Sequence, residues 1–558
     1  MARAALIASL VLLTGAPAGA AVEGGPPARA GDYLASRHAQ HLNDWRTAAE
    51  RLKGILAQGE EDLTVLRRAF ILMLGDGQID EALALAQRLH GTRGEHPSSV
   101  ALLTAEAVRT GAAPSSSPPP YAQLASDGLN QVLRPLLDAW FQAARGDATA
   151  ARKALLPLEK VAGFGALYTL HAATLAERAG DTTAAEKGYR ALLEPEASLR
   201  AMVALVDFLR RHDPPQPVEP LLEHWKTRHG DEGPTDIAIL QQRPVPPLPE
   251  PQEGLALAFY DLAHLMMQDG ASELALLYNR LALYLHPRLP MAQLLMADIL
   301  LEREQWELAL PLYRELAADP LLGWPARLRL AETLGEHRQG DEARTLLTAM
   351  AAERPDRIDV LTREGDLLRR TRQYEAAVQA YAQAISRLKP PLQSRHWGLY
   401  YARGMCYERL NRWPEAEADL QQALSLSPDQ PYVLNYLGYS WMDRGLHYEK
   451  ARTMVEKAAA LRPDDGHILD SLGWVLYLQG ALPEAVATLE RAAELSPLDS
   501  TINEHLGDAY WRSNRKDEAR YQWERALSNA DPEEDQERLP GLRARLEKGL
   551  PATLGAKP

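Results

Sequence analysis

The chain holds one cysteine, Cys406, in 558 residues, so it cannot close an internal disulfide and must be held together by packing. Phenylalanine is almost as scarce, at five residues, while Leu and Ala dominate the apolar set. That bias favours helices through low rotamer cost and close backbone approach. Basic residues do not outnumber acidic ones: 61 Lys and Arg against 75 Asp and Glu leave a formal net charge of -14. Such a balance excludes a surface that tracks phosphates, because nucleic-acid affinity rests on Lys and Arg replacing counterions. Beyond Ala20 no apolar run approaches the roughly 20 residues of a membrane span. Also missing are a His-Glu-x-x-His helix, paired cysteines, a Gly-rich phosphate loop and a Gly-x-Ser-x-Gly elbow. No catalytic residue, metal ligand set or cofactor is therefore expected. His38, His41 and Asp44 read as solvated residues of a polar helix face, and Asp76, Asp80 and Glu81 lack the alternating oxygen ligands of a calcium loop.

What is present begins with a targeting signal. Arg3 and the amino terminus precede an apolar run from Ala4 to Thr14, and Ala18-Gly19-Ala20 supplies small residues for cleavage. Residues 1–20 are expected to be a secretory signal peptide, which makes the mature protein an exported one, most simply of the bacterial periplasm. Cys406 stands far from that cleavage site, so no thiol is there to take a lipid anchor.

A repeat dominates the rest. A small residue in one helix is matched by an alanine twelve positions later: Ala263 with Ala275, Ala297 with Ala309, Ala331 with Ala343, Gly365 with Ala377, Gly404 with Ala416, Gly473 with Ala485 and Gly507 with Ala519. Successive small residues lie 34 positions apart except at two turns, one with five extra residues around Pro390 and Pro391, the other with one at Gly445-Leu446-His447. The second insertion moves the alanine that matches Gly438 to Ala451. Such a small residue, facing the alanine of the second helix, lets two antiparallel helices approach without a side chain between them. Weaker copies of the pattern lie upstream: Ser36 with Ala48, Phe70 with Ala82, Ala139 with Ala151 and Ala173 with Ala185. Insertions confined to turns are what a stacked array tolerates. The spacing predicts an all-α solenoid of antiparallel helix pairs with about twelve units.

The dipeptides Leu437-Gly438, Leu472-Gly473 and Leu506-Gly507, the alanines that follow them, and Pro428, Pro463 and Pro497 near the unit ends resemble the tetratricopeptide repeat. That resemblance implies a right-handed superhelix. The stretches Tyr401 to Arg409, Leu434 to Tyr439 and Leu472 to Tyr477 further resemble a group of long bacterial envelope proteins of this repeat class. It includes the outer-membrane lipoprotein adaptor of a carboxy-terminal processing protease, whose lipid-bearing cysteine is missing here. The chain then divides into a signal peptide (1–20), degenerate N-terminal units (33–112), a Ser/Pro linker (113–120), a degenerate helical-repeat region (121–228), a Pro-rich loop (229–254) that drapes along the groove or links freely, a regular array of eight units (255–537), and a capping helix and tail (538–558). In that cap Leu539, Leu542, Leu546 and Leu550 form an apolar stripe, with Arg543, Arg545, Glu547 and Lys548 expected to face away.

By the same resemblance, the inner wall is formed by first helices, at positions three before, one after and four after the small residue. Those positions hold Tyr401, Met405 and Glu408; Asn435, Tyr439 and Met442; Asp470, Trp474 and Tyr477; Glu504, Asp508 and Trp511. Tyr and Trp concentrate binding energy at interfaces because they bury large area with few torsions to freeze. The expected partners are other proteins or peptide segments, with apolar anchors and some basic character to pair with the carboxylates. Nucleic acid, a membrane span and a lipid anchor are not expected. Two roles fit: an adaptor that presents clients to an envelope protease or assembly factor, or a structural scaffold in surface-polysaccharide export or cell-wall machinery.

Overall fold

The computed structural model describes residues 27–111, 119–193, 198–212, 217–229, 239–532 and 535–551. The expected signal peptide, most of the Ser/Pro linker, residues 230–238 of the Pro-rich loop and the last residues of the tail lie outside the described residues. Among the described residues there are 29 α-helices and no strand, and the helices run in tandem pairs.

The pairs form where the small residues predict. All twelve anchoring alanines are 0% exposed: Ala48, Ala82, Ala151, Ala185, Ala275, Ala309, Ala343, Ala377, Ala416, Ala451, Ala485 and Ala519. What faces the small residue differs from the expectation in one respect. The alanine faces the glycine through its carbonyl, and the larger side chain one helical turn beyond it fills the space opposite. A Cβ on Gly365 would come 2.6 Å from the Tyr381 ring, four residues past Ala377, and one on Gly404 would come 3.2 Å from Leu420 and 3.3 Å from the carbonyl oxygen of Ala416. On Gly507 it would lie 2.5 Å from the Trp523 ring and 3.1 Å from the carbonyl oxygen of Ala519. Ala377 and Ala416 are thus small because they are enclosed in the pair, while the glycines are small because a neighbouring large side chain already fills the gap.

In the first pair Ser36 Oγ donates 2.9 Å to the carbonyl of Ala48, so the helices touch through a hydrogen bond where other pairs use Gly or Ala. The turn inside each pair is as regular as the packing. The residue seven positions after each small residue is left-handed in all twelve pairs, whether Gly (Gly77, Gly146, Gly480), Asn (Asn43, Asn411, Asn514) or a long side chain (Glu304, Arg338, Arg372). That residue ends the first helix and satisfies its last carbonyls. Where one extra residue enters, after Gly445, His447 is left-handed as well.

The chain forms two compact units, residues 1–346 and 347–558, and the division falls inside the helix Gly340–Glu353. The boundary therefore lies within the regular array and not in the Pro-rich loop: three regular pairs join the degenerate ones, and five remain on their own. In the first unit the pair Pro251–Gln268 and Ser272–Leu285 packs against first helices far upstream. Gly254 lies so close to Trp140 that a Cβ there would come within 2.0 Å of the indole. Arg280 Nε donates to the carbonyl of Gly75 at 3.0 Å, Arg303 stacks 4.5 Å from the Trp45 ring, and Gln305 donates to the carbonyl of Asn43 at 2.6 Å. The Pro-rich segment 244–249 is also tied down. Arg178 and Arg211 donate to the carbonyls of Pro249 and Pro246, and Arg243 grips Asp207 with 2.6 Å contacts to both carboxylate oxygens. Proline lacks an N–H but keeps its carbonyl, which is why arginines can hold this strand.

The second unit is simpler. Its five pairs run from Ile358–Arg370 to Lys516–Asn529, and a lone helix, Leu539–Lys548, follows. Each pair shares a core with the next: Leu434, Ala458, Ile468 and Leu489 join one cluster with Leu506, Trp523 and Leu542. Cys406 is fully buried in this stack, and burial pushes its thiol up to about 11, which leaves it unreactive.

Candidate protein-binding groove

First helices of successive pairs in the second unit lie side by side, and predicted inner positions of one helix meet other residues of the next across the joint. Tyr401 stands edge-on to Tyr436 at 5.8 Å, and Glu408 binds Arg444 at 2.9 Å. One pair further, Trp474 stacks on Tyr477 at 4.7 Å and on His505 at 4.0 Å, while His505 Nδ1 lies 2.9 Å from Asp470 Oδ1. These contacts split the wall into an open part and a sealed part.

The sealed part lies towards the C-terminus. Glu504 meets Arg538 at 2.5 Å and Arg545 at 2.9 Å, and Asp508 meets Arg545 at 3.1 Å while accepting from Trp523 Nε1 at 2.9 Å. Asp470, Glu504, Asp508, Tyr477 and Met442 are all buried. Trp511 is covered too: it packs 5.3 Å from Trp523, and a Cβ on Gly549 would lie 1.9 Å from its ring. Arg545 thus faces inward, correcting the expectation that it points to solvent, while Arg543, Glu547 and Lys548 are exposed. Two buried carboxylates side by side outweigh the cost of turning one guanidinium in.

The electrostatics follow from this crowding. Burial and the neighbouring Glu504 raise the carboxyl of Asp508 to about 6, with Arg545, His505 and Trp523 pulling the other way. Burial opposes the charge on His505, but Asp470, Glu504 and Asp508 outweigh it and raise its pKa. The phenol of Tyr439 is raised by burial, Asp470 and Asp443, and it feels Arg538 as well. Three first helices therefore converge on the two terminal arginines.

The open part comprises Tyr401, Met405, Asn435 and Tyr439, none of them fully buried. Asn435 Oδ1 is itself buried and has no hydrogen-bond donor among the described residues. The structural positions Gly365, Ala377, Gly404, Ala416, Gly438, Ala451, Gly473, Ala485, Gly507 and Ala519 lie between the two helices of each pair and contribute nothing to the wall. Sequence reasoning missed His505, Arg538 and Arg545. The signal for the last two was the 34-residue period itself: carried one step past Gly507 it reaches Gly541, and Arg538, Leu542 and Arg545 fall on the three inner positions. The capping helix thus occupies the first-helix register of a further unit.

The tetratricopeptide repeat family matches residues 362–431, 442–500 and 483–535. A repeat-containing protein of this class from Pseudomonas aeruginosa is 30% identical over 185 residues, which is 33% of this chain and 30% of that protein's length. Among solved structures, the Cut9–Hcn1 hetero-tetramer of the APC/C aligns over 99% of this chain and 100% of that one, with 14% identity and a TM-score of 0.39. A tetratricopeptide repeat protein from Parabacteroides merdae aligns over 45% of this chain and 98% of that one, with 18% identity and a TM-score of 0.36. Among the described residues, no helix is long and apolar enough to cross a membrane.

Proposed function

We propose, from the premise that this chain carries tetratricopeptide repeats, a scaffold for protein–protein interaction, that it is a non-enzymatic adaptor. It seats a partner's segment on the open half of its inner wall. The observation that carries this reading is the contrast along the wall. Asp470, Glu504 and Asp508 are already paired within the chain, whereas Tyr401, Met405, Asn435 and Tyr439 keep accessible surface. Recognition there rests on two phenol rings and a thioether, which bury apolar area on contact. A segment with aromatic or aliphatic anchors fits this surface, and the basic character that the sequence alone suggested is not needed for it.

The proposal extends to location and role. The apolar run and cleavage site before residue 21 support export, and a periplasmic adaptor that brings clients to an envelope protease or assembly factor is the reading we adopt. Amino-terminal sequencing of the chain recovered from the periplasmic fraction tests the first point, and a start at Ala21 is expected. For the second, the mature chain is used as bait in an envelope extract beside a Tyr401→Ala/Asn435→Ala variant. A protease or its clients captured by the wild type and lost with the variant is the expected result. Wall- or polysaccharide-assembly proteins captured equally by both would overturn it in favour of the structural scaffold.

A further inference from the structure

The helix Leu539–Lys548 sits where the next first helix of the array belongs, and among the described residues no second helix packs on it. Its hold is thin. It has ten residues, short of the roughly 12 to 15 at which an isolated helix becomes stable in water. Among its side chains Leu542 is the one that is fully buried, and Leu546 and Leu550 pack from the edge of the core. The rest of its anchorage is the seat of Gly549 against the Trp511 ring, a hydrogen bond from Arg538 to Thr501, and ion pairs: Arg538 on Glu504 and Arg545 on both Glu504 and Asp508.

The carboxylates beneath it are built differently. Glu504 is 8% exposed and Asp508 2%, in the middle of a helix that also carries the structural core residues Ile502, Leu506 and Tyr510. If the cap lifted, water would reach both carboxylates, and two like charges side by side would be left without the guanidinium groups that offset their repulsion. The face therefore demands cations in one geometry: two arginines seven residues apart with an apolar residue between them, as in Arg538-x3-Leu542-x2-Arg545. Seven residues is two helical turns, so both guanidinium groups leave the same side of the helix.

We propose that the terminal half-unit is a built-in occupant of this face, and that an arginine-bearing amphipathic helix of a partner protein takes its place on Glu504 and Asp508. This deepens the protein-binding reading by assigning a second, cationic specificity to the end of the wall. The half-unit acts as a lid: tethered to the face, it is present at an effective concentration on the order of millimolar and excludes weak ligands. A partner with the same spacing and a longer helix displaces it.

The test uses the full chain and a labelled synthetic peptide of its own residues 535–550 as the probe, followed by fluorescence anisotropy. The wild type is compared with an Arg538→Ala/Arg545→Ala variant, whose lid has lost its ionic anchors. We expect the peptide to bind the variant at least about tenfold more tightly than the wild type, because the tethered competitor is gone. Equal binding to both, or none to a variant with wild-type circular dichroism, overturns the proposal. Hydrogen exchange on the unaltered chain gives an independent reading. Amides of residues 542–548 should exchange at least about tenfold faster than those of residues 503–510 if the lid opens by itself. Equal exchange rates in the two helices would show a fixed cap and overturn it too. A dimer of the wild type that the peptide dissociates would make the occupant a second copy and overturn the assignment to a partner protein. The peptide test involves neither Tyr401 nor Asn435, so it succeeds or fails independently of the envelope pull-down.

Discussion

In residues 27–346, Arg280 bonds to a carbonyl 205 positions upstream and Gln305 to one 262 positions upstream. In residues 347–551 the corresponding ties are short: His505 to Asp470 spans 35 positions and Arg538 to Glu504 spans 34. Both units use the same helix pair, with the same buried alanine and the same left-handed turn. What differs is whether the array is held only by its neighbours or also by its own distant chain. An array held by neighbours has a stability that sums unit and interface terms, and it opens from its ends. One whose first helices close on the pair 251–285 loses many contacts when any part opens, so it should unfold as a block. Sequence regularity is thus a poor guide to cooperativity, since the three regular pairs up to Leu346 share the fate of the degenerate ones.

The strongest way to break this comparison is at Trp140. Its indole is fully buried, lies on Gly254 and donates to His171 Nδ1 at 3.3 Å. Trp140→Ala should cost about 3 to 5 kcal/mol. Hydrogen exchange followed by mass spectrometry should show protection lost together from Leu63 to Glu336, with helices from Trp397 to Asn529 unchanged. Loss confined to residues 130–178 would mean that the first unit is not a block. Next in size is one substitution made in both units. Ala275→Leu and Ala485→Leu each force a branched side chain between helices at a fully buried alanine, at about 1 to 3 kcal/mol. The first should lower the melting transition of the whole first unit. The second should loosen only helices 466–529, and equal spread in both would erase the distinction.

Much of this was legible in the chain. The twelve-residue spacing identified eleven of the twelve anchoring alanines, Ala377 and Ala416 among them, and one extra turn residue accounts for Ala451, because close helix approach leaves one residue size that fits. The degenerate units were found by the same rule, although Ser36 and Phe70 replace the small residue. Three things were not legible. That Tyr381 and Leu420, and not the methyl groups of Ala377 and Ala416, fill the space opposite Gly365 and Gly404 depends on the stagger of the two helices, which spacing alone does not give. The contacts of Arg280, Gln305 and Gly254 with distant helices leave no periodic trace, since they depend on how the first unit closes and not on any local pattern. Likewise Asp470, Glu504 and Asp508 look like free groove acids in sequence; their pairing with His505, Arg538 and Arg545 becomes visible only when the period is carried past the last complete unit.

Acidification acts on the buried ionisable groups at the end of the second unit. Asp508 titrates at about 6 in the fold, above its ordinary value of 3.8, so between these limits the native state binds more protons than the unfolded one. Its ionisation therefore costs global stability, and that cost disappears as the pH falls through 6. His505 carries the same sign: its pKa is raised in the fold, so its stabilisation is present at low pH and lost as the pH rises. Amide exchange at residues 503–510, corrected for intrinsic rate, should therefore slow between pH 7 and pH 5. Faster exchange there on acidification would mean that other groups dominate the titration of this unit.

The smallest effect sharpens the comparison from the side of the turns. Glu304 holds φ at +61° in the position that its neighbouring pair fills with Gly270, and its side chain is exposed. A left-handed conformation costs a residue with a Cβ roughly 1 to 2 kcal/mol. Glycine avoids that penalty but loses roughly 0.5 to 1 kcal/mol more backbone entropy on folding. Glu304→Gly should therefore stabilise the chain by less than about 1 kcal/mol, with the urea midpoint raised and the slope unchanged. Because Glu304 lies in the block-like unit, the gain should appear in the exchange of the slowest amides throughout residues 63–336. Gain limited to the two helices that flank the turn would show that the first unit, for all its long-range ties, opens pair by pair like the second.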